Sequence, residues 1–291
     1  MRRKFQLLRL WRSKACSGMK LIQSRDNPFY KELVKLSGSA RQRGKVNRTL
    51  LDGAHLLEAY LEAGMLPQHV LLNAAALHDD EITVLLGRMG GVPVTQLDEK
   101  LFAGLSELKT PTGMLALIDV IQPDRPIAQS RFALLLEDIQ DPGNLGSMLR
   151  SAAAAGCDAV FLSPGCADAW SPRVLRAAMG GHFVLHIYEQ QDLPGVAKGF
   201  CEQPLRGLPA YPSAGKLLAT TLQATLSLYD CDLSGKVAFL IGNEGAGLSG
   251  ELLNLATQKI TIPMHGKVES LNAAAATAIC LFEAVRQRQA Q

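Results

Sequence analysis

The chain has 291 residues, enough for about two domains at roughly 150 residues each, and its 47% hydrophobic and 20% charged content excludes a disordered or low-complexity polymer. The formal net charge of +3 conceals an asymmetry: residues 1–50 hold 14 Lys and Arg against Asp26 and Glu32, while the remaining 241 residues hold 16 against 25. A basic arm on a mildly acidic body points to an anionic partner, nucleic acid or membrane surface.

The first 20 residues hold Arg2, Arg3, Lys4, Arg9, Arg12, Lys14 and Lys20 and no acid. Arg9 and Arg12 interrupt the apolar stretch, which argues against a secretory leader, although an organelle transit peptide has a similar composition. Met19 is an alternative start, and we expect residues 1–20 to be a basic tail outside the folded domains. No apolar run approaches 18 residues, so no membrane span is expected. Cys16, Cys157, Cys166, Cys201, Cys231 and Cys280 form no C-x-x-C pair and stand beside no histidine at ligand spacing. They read as reduced, mostly buried thiols of a cytoplasmic protein with no metal site.

From Leu21 the pattern is globular. Residues 50–64 (LLDGAHLLEAYLEAG) carry apolar residues at helical spacing, and short apolar runs at 69–73 and 92–97 flank a helical stretch at 78–89. This alternation predicts a small α/β domain over 21–118. Arg41, Arg43, Lys45 and Arg48 read as a flexible basic loop suited to phosphate contacts. The Pro-containing stretch 119–130 reads as a linker.

Residues 131–291 alternate more regularly. Buried-strand patterns at 132–139, 159–164, 183–188, 216–222, 236–242 and 259–264 are separated by helical patterns at 146–155, 171–179, 249–257 and 269–288. A parallel sheet covered on both faces follows, with chemistry expected in loops at the carboxyl ends of its strands. Three loops stand out. QDPGNLGSMLR (140–150) turns at Pro142 and Gly143, Gly146 opens a helix, and Arg150 lies one turn further on, near the loop mouth. GNEGAGLS (242–249) is neither a dinucleotide fingerprint nor a P-loop, but its close glycines admit a ligand near the backbone. In IPMHGKVESLNAAAATA (262–278), Ser270 reads as the cap of a long C-terminal helix. His265 reads as a solvent-facing loop residue, and His182 and His186 as packing residues.

Taken in order, Asn144-x-Gly146-x-x-x-Arg150, then Gly242 to Gly245, then Ile262 to Asn272 resemble the three motifs of the SpoU-type (TrmH-like) RNA 2′-O-ribose methyltransferases of the SPOUT superfamily. Residues 21–118 resemble the ribosomal-protein-like substrate-binding module that precedes the catalytic domain in many members, and the ending ICLFEAVRQR is similar to the bacterial branch acting on large-subunit ribosomal RNA. The resemblance implies an α/β parallel-sheet SPOUT domain with a deep trefoil knot, S-adenosylmethionine as cofactor, RNA as partner and a homodimer through the catalytic domain. It implies cofactor contacts from Gly242, Ile262, Leu271, Leu240 and Met264, and a catalytic set of Asn144, Arg150, Glu244, Ser270 and Asn272. RNA contacts then fall to Arg41, Arg43, Lys45 and Arg48. Arg150 is expected to clamp substrate phosphate rather than act as a base, since arginine stays protonated. Where many relatives have Val-Ser after the SLN motif, this chain has Ala273 and Ala274. Alternatives are a tRNA 2′-O-methyltransferase, a catalytically silent RNA-binding protein on the same fold and, less well supported by the motifs, a nucleotide-cofactor oxidoreductase.

Overall fold

The computed structural model describes residues 19–106, 108, 112–124, 129–201 and 215–289. The expected basic tail lies outside the described residues up to position 18, as does part of the expected linker, 125–128. The described residues divide into two compact units, one of those between 19 and 121 together with 170–183, the other of those between 122 and 169 together with those between 184 and 289.

In the first unit β1 (Lys20–Ile22) takes the last residue of the stretch expected to be tail. Helix α1 (Pro28–Gly38) starts where Asn27 Oδ1 accepts the N–H groups of Phe29 and Tyr30 at 3.0 and 3.3 Å, with Pro28 in the first turn. Ser39 caps α2 (Ala40–Val46), so the segment expected to be a flexible basic loop is largely helix. It ends at Asn47, whose φ of 57° places it in the left-handed region.

The helical reading of 50–64 is corrected at its start. Leu50, Leu51 and Asp52 belong to β2 (Arg48–Asp52), and α3 (Ala54–Glu62) begins only after Gly53. The φ of +115° at Gly53 is closed to L side chains and breaks what the apolar spacing made look continuous. Strand β3 (His69–Leu72), α4 (Asp80–Arg88), β4 (Val94–Leu97), α5 (Glu99–Ala103) and β5 (Met114–Asp119) complete a mixed sheet of order β1-β4-β3-β5-β2. Its core joins Leu33, Leu36, Leu50, Leu71, Phe102 and Leu115.

The second unit holds a seven-stranded sheet of order β10-β12-β9-β11-β6-β7-β8, parallel throughout. Its strands are β6 (Phe132–Leu136), β7 (Ala159–Leu162), β8 (His186–Tyr188), β9 (Lys216–Thr220), β10 (Leu226–Ser227), β11 (Val237–Ile241) and β12 (Gln258–Thr261). Every residue of β6, β7 and β11 is buried, as their unbroken apolar runs require of strands covered on both faces. The helices are α6 (Pro142–Ala154), α8 (Leu193–Cys201), α9 (Gly250–Leu255) and α10 (Ala273–Gln289); α6 and α10 pack on each other.

Two readings of this region change. Helix α7 (Pro172–Ala178), expected within the catalytic domain, groups with the first unit and packs on β2. The strand expected over 183–188 is confined to β8, because Phe183 ends a 3-10 turn and packs edge-on against Tyr60 of the first unit at 5.2 Å. Helix α8 was not anticipated, although Leu193, Val196, Ala197 and Phe200 give it a buried face at i, i+3, i+4 and i+7.

Candidate active site

The carboxyl ends of β9, β11 and β12 and the start of α10 enclose a cleft of about 690 Å³. Its walls are three loops: Thr220 to Gln223 after β9, Gly242 to Leu248 after β11, and the segment from Ile262 to Asn272 that leads into α10. Ile241, Leu253, Ile260, Ile262, Met264 and Ala276 make its apolar surface. Among the described lining residues Glu244 is the one charged side chain. Gly242 is fixed by sterics, since a Cβ there would stand 2.2 Å from the carbonyl carbon of Gly247, where the loop folds back on itself.

A chain of side-chain hydrogen bonds spans the mouth. Asn272 Nδ2 donates to Asn144 Oδ1 at 2.9 Å, and Asn144 Nδ2 donates to Glu244 Oε1 at 2.9 Å. Residues separated by 100 positions and more are thereby joined, one from each motif. Each is placed by local structure. Asp141, not Gly146, marks the start of α6: its Oδ1 accepts the N–H of Asn144 at 2.7 Å, putting Asn144 in the first turn. Asn272, rather than Ser270, caps α10 through bonds from the N–H groups of Ala274 and Ala275 at 2.9 and 3.3 Å. With its oxygen held by the cap, the Asn272 amide NH₂ is directed to Asn144.

The remaining candidates divide. Gly242, Ile262, Met264, Ser270 and Leu271 line the cleft. Leu240 does not: strand alternation turns it into the core beside Leu135 and Phe161, and only its carbonyl approaches the site, accepting from Thr220 Oγ1 at 3.2 Å. Arg150 is exposed in the third turn of α6 and is not part of the cleft lining. Six residues at 100° each leave it well round the helix from Asn144. Arg43 is also corrected as an RNA contact. It is buried, and its Nη1 donates to the carbonyls of Leu36 and Ser37 at 2.5 and 3.1 Å at the end of α1. Arg41 and Lys45 are exposed, and Arg48 lies 3.6 Å from Asp119. The sequence reading missed the loop after β9 and missed Asn243, which lines the cleft and holds its loop together. Thr-Thr at a strand end was the available signal for the first, and its place between Gly242 and Glu244 for the second. One His–Glu–Glu group, His55, Glu58 and Glu81, is surface-lying, and Glu58 is already engaged by Arg88 at 3.2 Å.

Residues 131–282 match the SpoU rRNA Methylase family, and residues 27–116 match the MRM3-like substrate binding domain. The chain belongs to the SpoU rRNA methylase family. It is 35% identical to an uncharacterized tRNA/rRNA methyltransferase of Synechocystis over 92% of this chain and 94% of that protein. It is 33% identical to the 23S rRNA (guanosine(2553)-2′-O)-methyltransferase RlmP of Bacillus subtilis, over 91% of this chain and 98% of that one. Among solved structures, the AdoMet-bound rRNA methyltransferase of Sinorhizobium meliloti superposes with a TM-score of 0.74 at 26% identity, over 92% of this chain and 98% of that one. This SpoU methylase is accordingly an α/β enzyme whose cofactor is S-adenosylmethionine. The cleft suits that molecule, with an apolar surface for a flat base, backbone polar groups from a Gly-rich loop and, among the described lining residues, one carboxylate and no cation. None of the described helices is long and apolar enough to cross a membrane.

Proposed function

We propose that this SpoU methylase transfers a methyl group from S-adenosylmethionine to a ribose 2′-hydroxyl of large-subunit ribosomal RNA. The observation that carries the reading is the Asn272–Asn144–Glu244 chain at the mouth of the cleft. The names of RlmP and of the Sinorhizobium protein support the ribosomal substrate. Bound cofactor supplies an electrophilic methyl, so the protein needs no nucleophile of its own and has to align a hydroxyl and accept its proton. Asn144 and Glu244 provide amide and carboxylate groups for that alignment, and Ser270 stands in the same wall. Arg150, exposed on α6, is assigned to a substrate phosphate, which its planar guanidinium holds through two bonds.

The same reading assigns the first unit to RNA docking through Arg41, Lys45 and Arg48, and the site residues other than Leu240 and Arg43, with the domain limits at 118 and 131, are proposed as part of it. A homodimer built on α10 and the deep trefoil knot of the SPOUT domain belong to it as well. The working compartment is then the cytoplasm, where ribosomal RNA is accessible. Asn144→Ala tests the core of the proposal. Methyl transfer should fall by two orders of magnitude or more, about the cost of losing alignment, while S-adenosylmethionine affinity measured by calorimetry changes by less than about threefold. Unimpaired transfer would remove the chain from the mechanism, and transfer to tRNA in place of ribosomal RNA would favour the other branch.

A further inference from the structure

The wall of the cleft that carries Glu244 is held by a side chain outside the family's expected catalytic set. Asn243 Oδ1 accepts the N–H groups of Gly245 and Ala246 at 2.9 and 3.0 Å, and its backbone exchanges two hydrogen bonds with Gly247 at 3.1 and 2.9 Å. These bonds fold the loop on itself. A further bond anchors it, because Asn243 Nδ2 donates to the backbone carbonyl of Asp138 at 2.8 Å. At its far end the loop is tied by the Ser249 N–H, which donates to Glu137 Oε2 at 2.7 Å. Both anchors lie on consecutive residues just beyond β6.

The carbonyl that Asn243 grips is presented by an unusual backbone. Asp138 has a φ of 54°, a region that L residues other than Asn and Asp rarely enter. A reciprocal pair of bonds holds it there: Asp138 N–H donates to Ser163 Oγ at 2.9 Å, and Ser163 Oγ donates to Asp138 Oδ1 at 2.6 Å. Gly165 leaves room for this arrangement, since a Cβ there would stand 2.2 Å from Asp138 Oδ1 and the carboxylate would have to shift. The hydrogen bonds thus run from Ser163 through Asp138 to Asn243 and into the amides of the cleft wall. A local conformational cost held by surrounding contacts next to a binding site is a mark of function.

We propose that Asp138 and Asn243 form a clasp that sets the shape of the 242–248 loop and thereby the affinity of the cleft for S-adenosylmethionine. Both are positioning residues, acting through the loop and not on the reacting atoms. The proposal rests on the reading of the cleft as the cofactor site, and its test separates the two. Asn243→Ala removes the strut, Asp138→Val disfavours the left-handed turn through β-branching, and Asp138→Asn tolerates that turn and keeps an acceptor for Ser163.

Amide hydrogen exchange of the 242–248 segment reads the clasp without cofactor, and calorimetry with S-adenosylmethionine reads its consequence. Asn243→Ala and Asp138→Val should each speed loop exchange and weaken cofactor binding by about tenfold, as expected when the hydrogen bonds that shape the loop are lost. Because they interrupt one chain, the double variant should bind no more than about threefold more weakly than the poorer single variant. Asp138→Asn should recover most of the affinity lost in Asp138→Val, which a general loss of stability does not predict. Multiplicative losses, or unchanged exchange in Asn243→Ala, would overturn the clasp, and the latter decides even where Asp138→Val does not fold. Faster loop exchange in a protein whose wild type does not bind S-adenosylmethionine would leave the clasp standing and defeat the cofactor reading.

Discussion

Asn272 has two duties that a single substitution separates. Aspartate is as good a helix cap as asparagine, so Asn272→Asp keeps the acceptor for Ala274 and Ala275 but loses the donor to Asn144. Melting temperature should stay within about 2 °C of wild type while turnover falls by about tenfold or more; a parallel loss of both would reduce the residue to a cap. His69 offers a test away from the site. It is partly buried in β3, 2.8 Å from Thr95 Oγ1 and 4.8 Å from the Phe29 ring, and loss of solvent lowers its pKa. The unfolded chain therefore takes up a proton first on acidification, and the stability owed to the neutral ring, present above about pH 6.5, is lost as pH falls through that value. The fall in urea midpoint between pH 7.5 and 5.5 should shrink in His69→Gln; an identical fall would show that His69 does not contribute. At this scale Glu244, Asn144 and Asn272 were legible because each lies in one of the three motifs that resemble the family. Asp138 and Asn243 were not, because their importance comes from backbone angle and from bonds across 105 positions.

At the scale of elements, the buried strands were the easiest to read. FALLL, AVFL and VAFLI are too short and too apolar for anything but strands covered on both faces. Boundaries failed where backbone conformation overrode side-chain periodicity, as at Gly53, and α8 was obscured by Pro194, Gly195 and Gly199 within its span. The basic segment at 41–48 shows a different limit. Four cations in eight residues look equivalent in sequence, yet the turn from α1 to α2 buries Arg43 against two helix-terminal carbonyls. Arg43→Ala should then cost about 2 kcal/mol of stability, the range for hydrogen bonds from a charged donor, seen as a lower denaturation midpoint. Arg41 and Lys45 changed together to Ala should leave stability unaltered and lower the salt slope of RNA binding by about 2. An unchanged slope would move the RNA contact elsewhere.

For the whole molecule, the charge asymmetry and the order of three loop motifs carried more than any single residue. The alternation of strands and helices announced the parallel sheet, and the carboxyl-end rule located the cleft before its walls were known. What sequence order concealed was the division of the chain: residues 170–183 lie between strands of the second unit yet pack with the first, a long-range grouping that no local pattern encodes. The central claim is the reaction itself, and the most direct measurement is transfer of an isotopically labelled methyl from S-adenosylmethionine to unmodified ribosomal RNA, with the modified position mapped by resistance to alkaline cleavage. The account predicts label on a ribose 2′-oxygen of large-subunit RNA, abolished in Glu244→Ala. Label on a base, or no transfer by a protein that binds both cofactor and RNA, would contradict it.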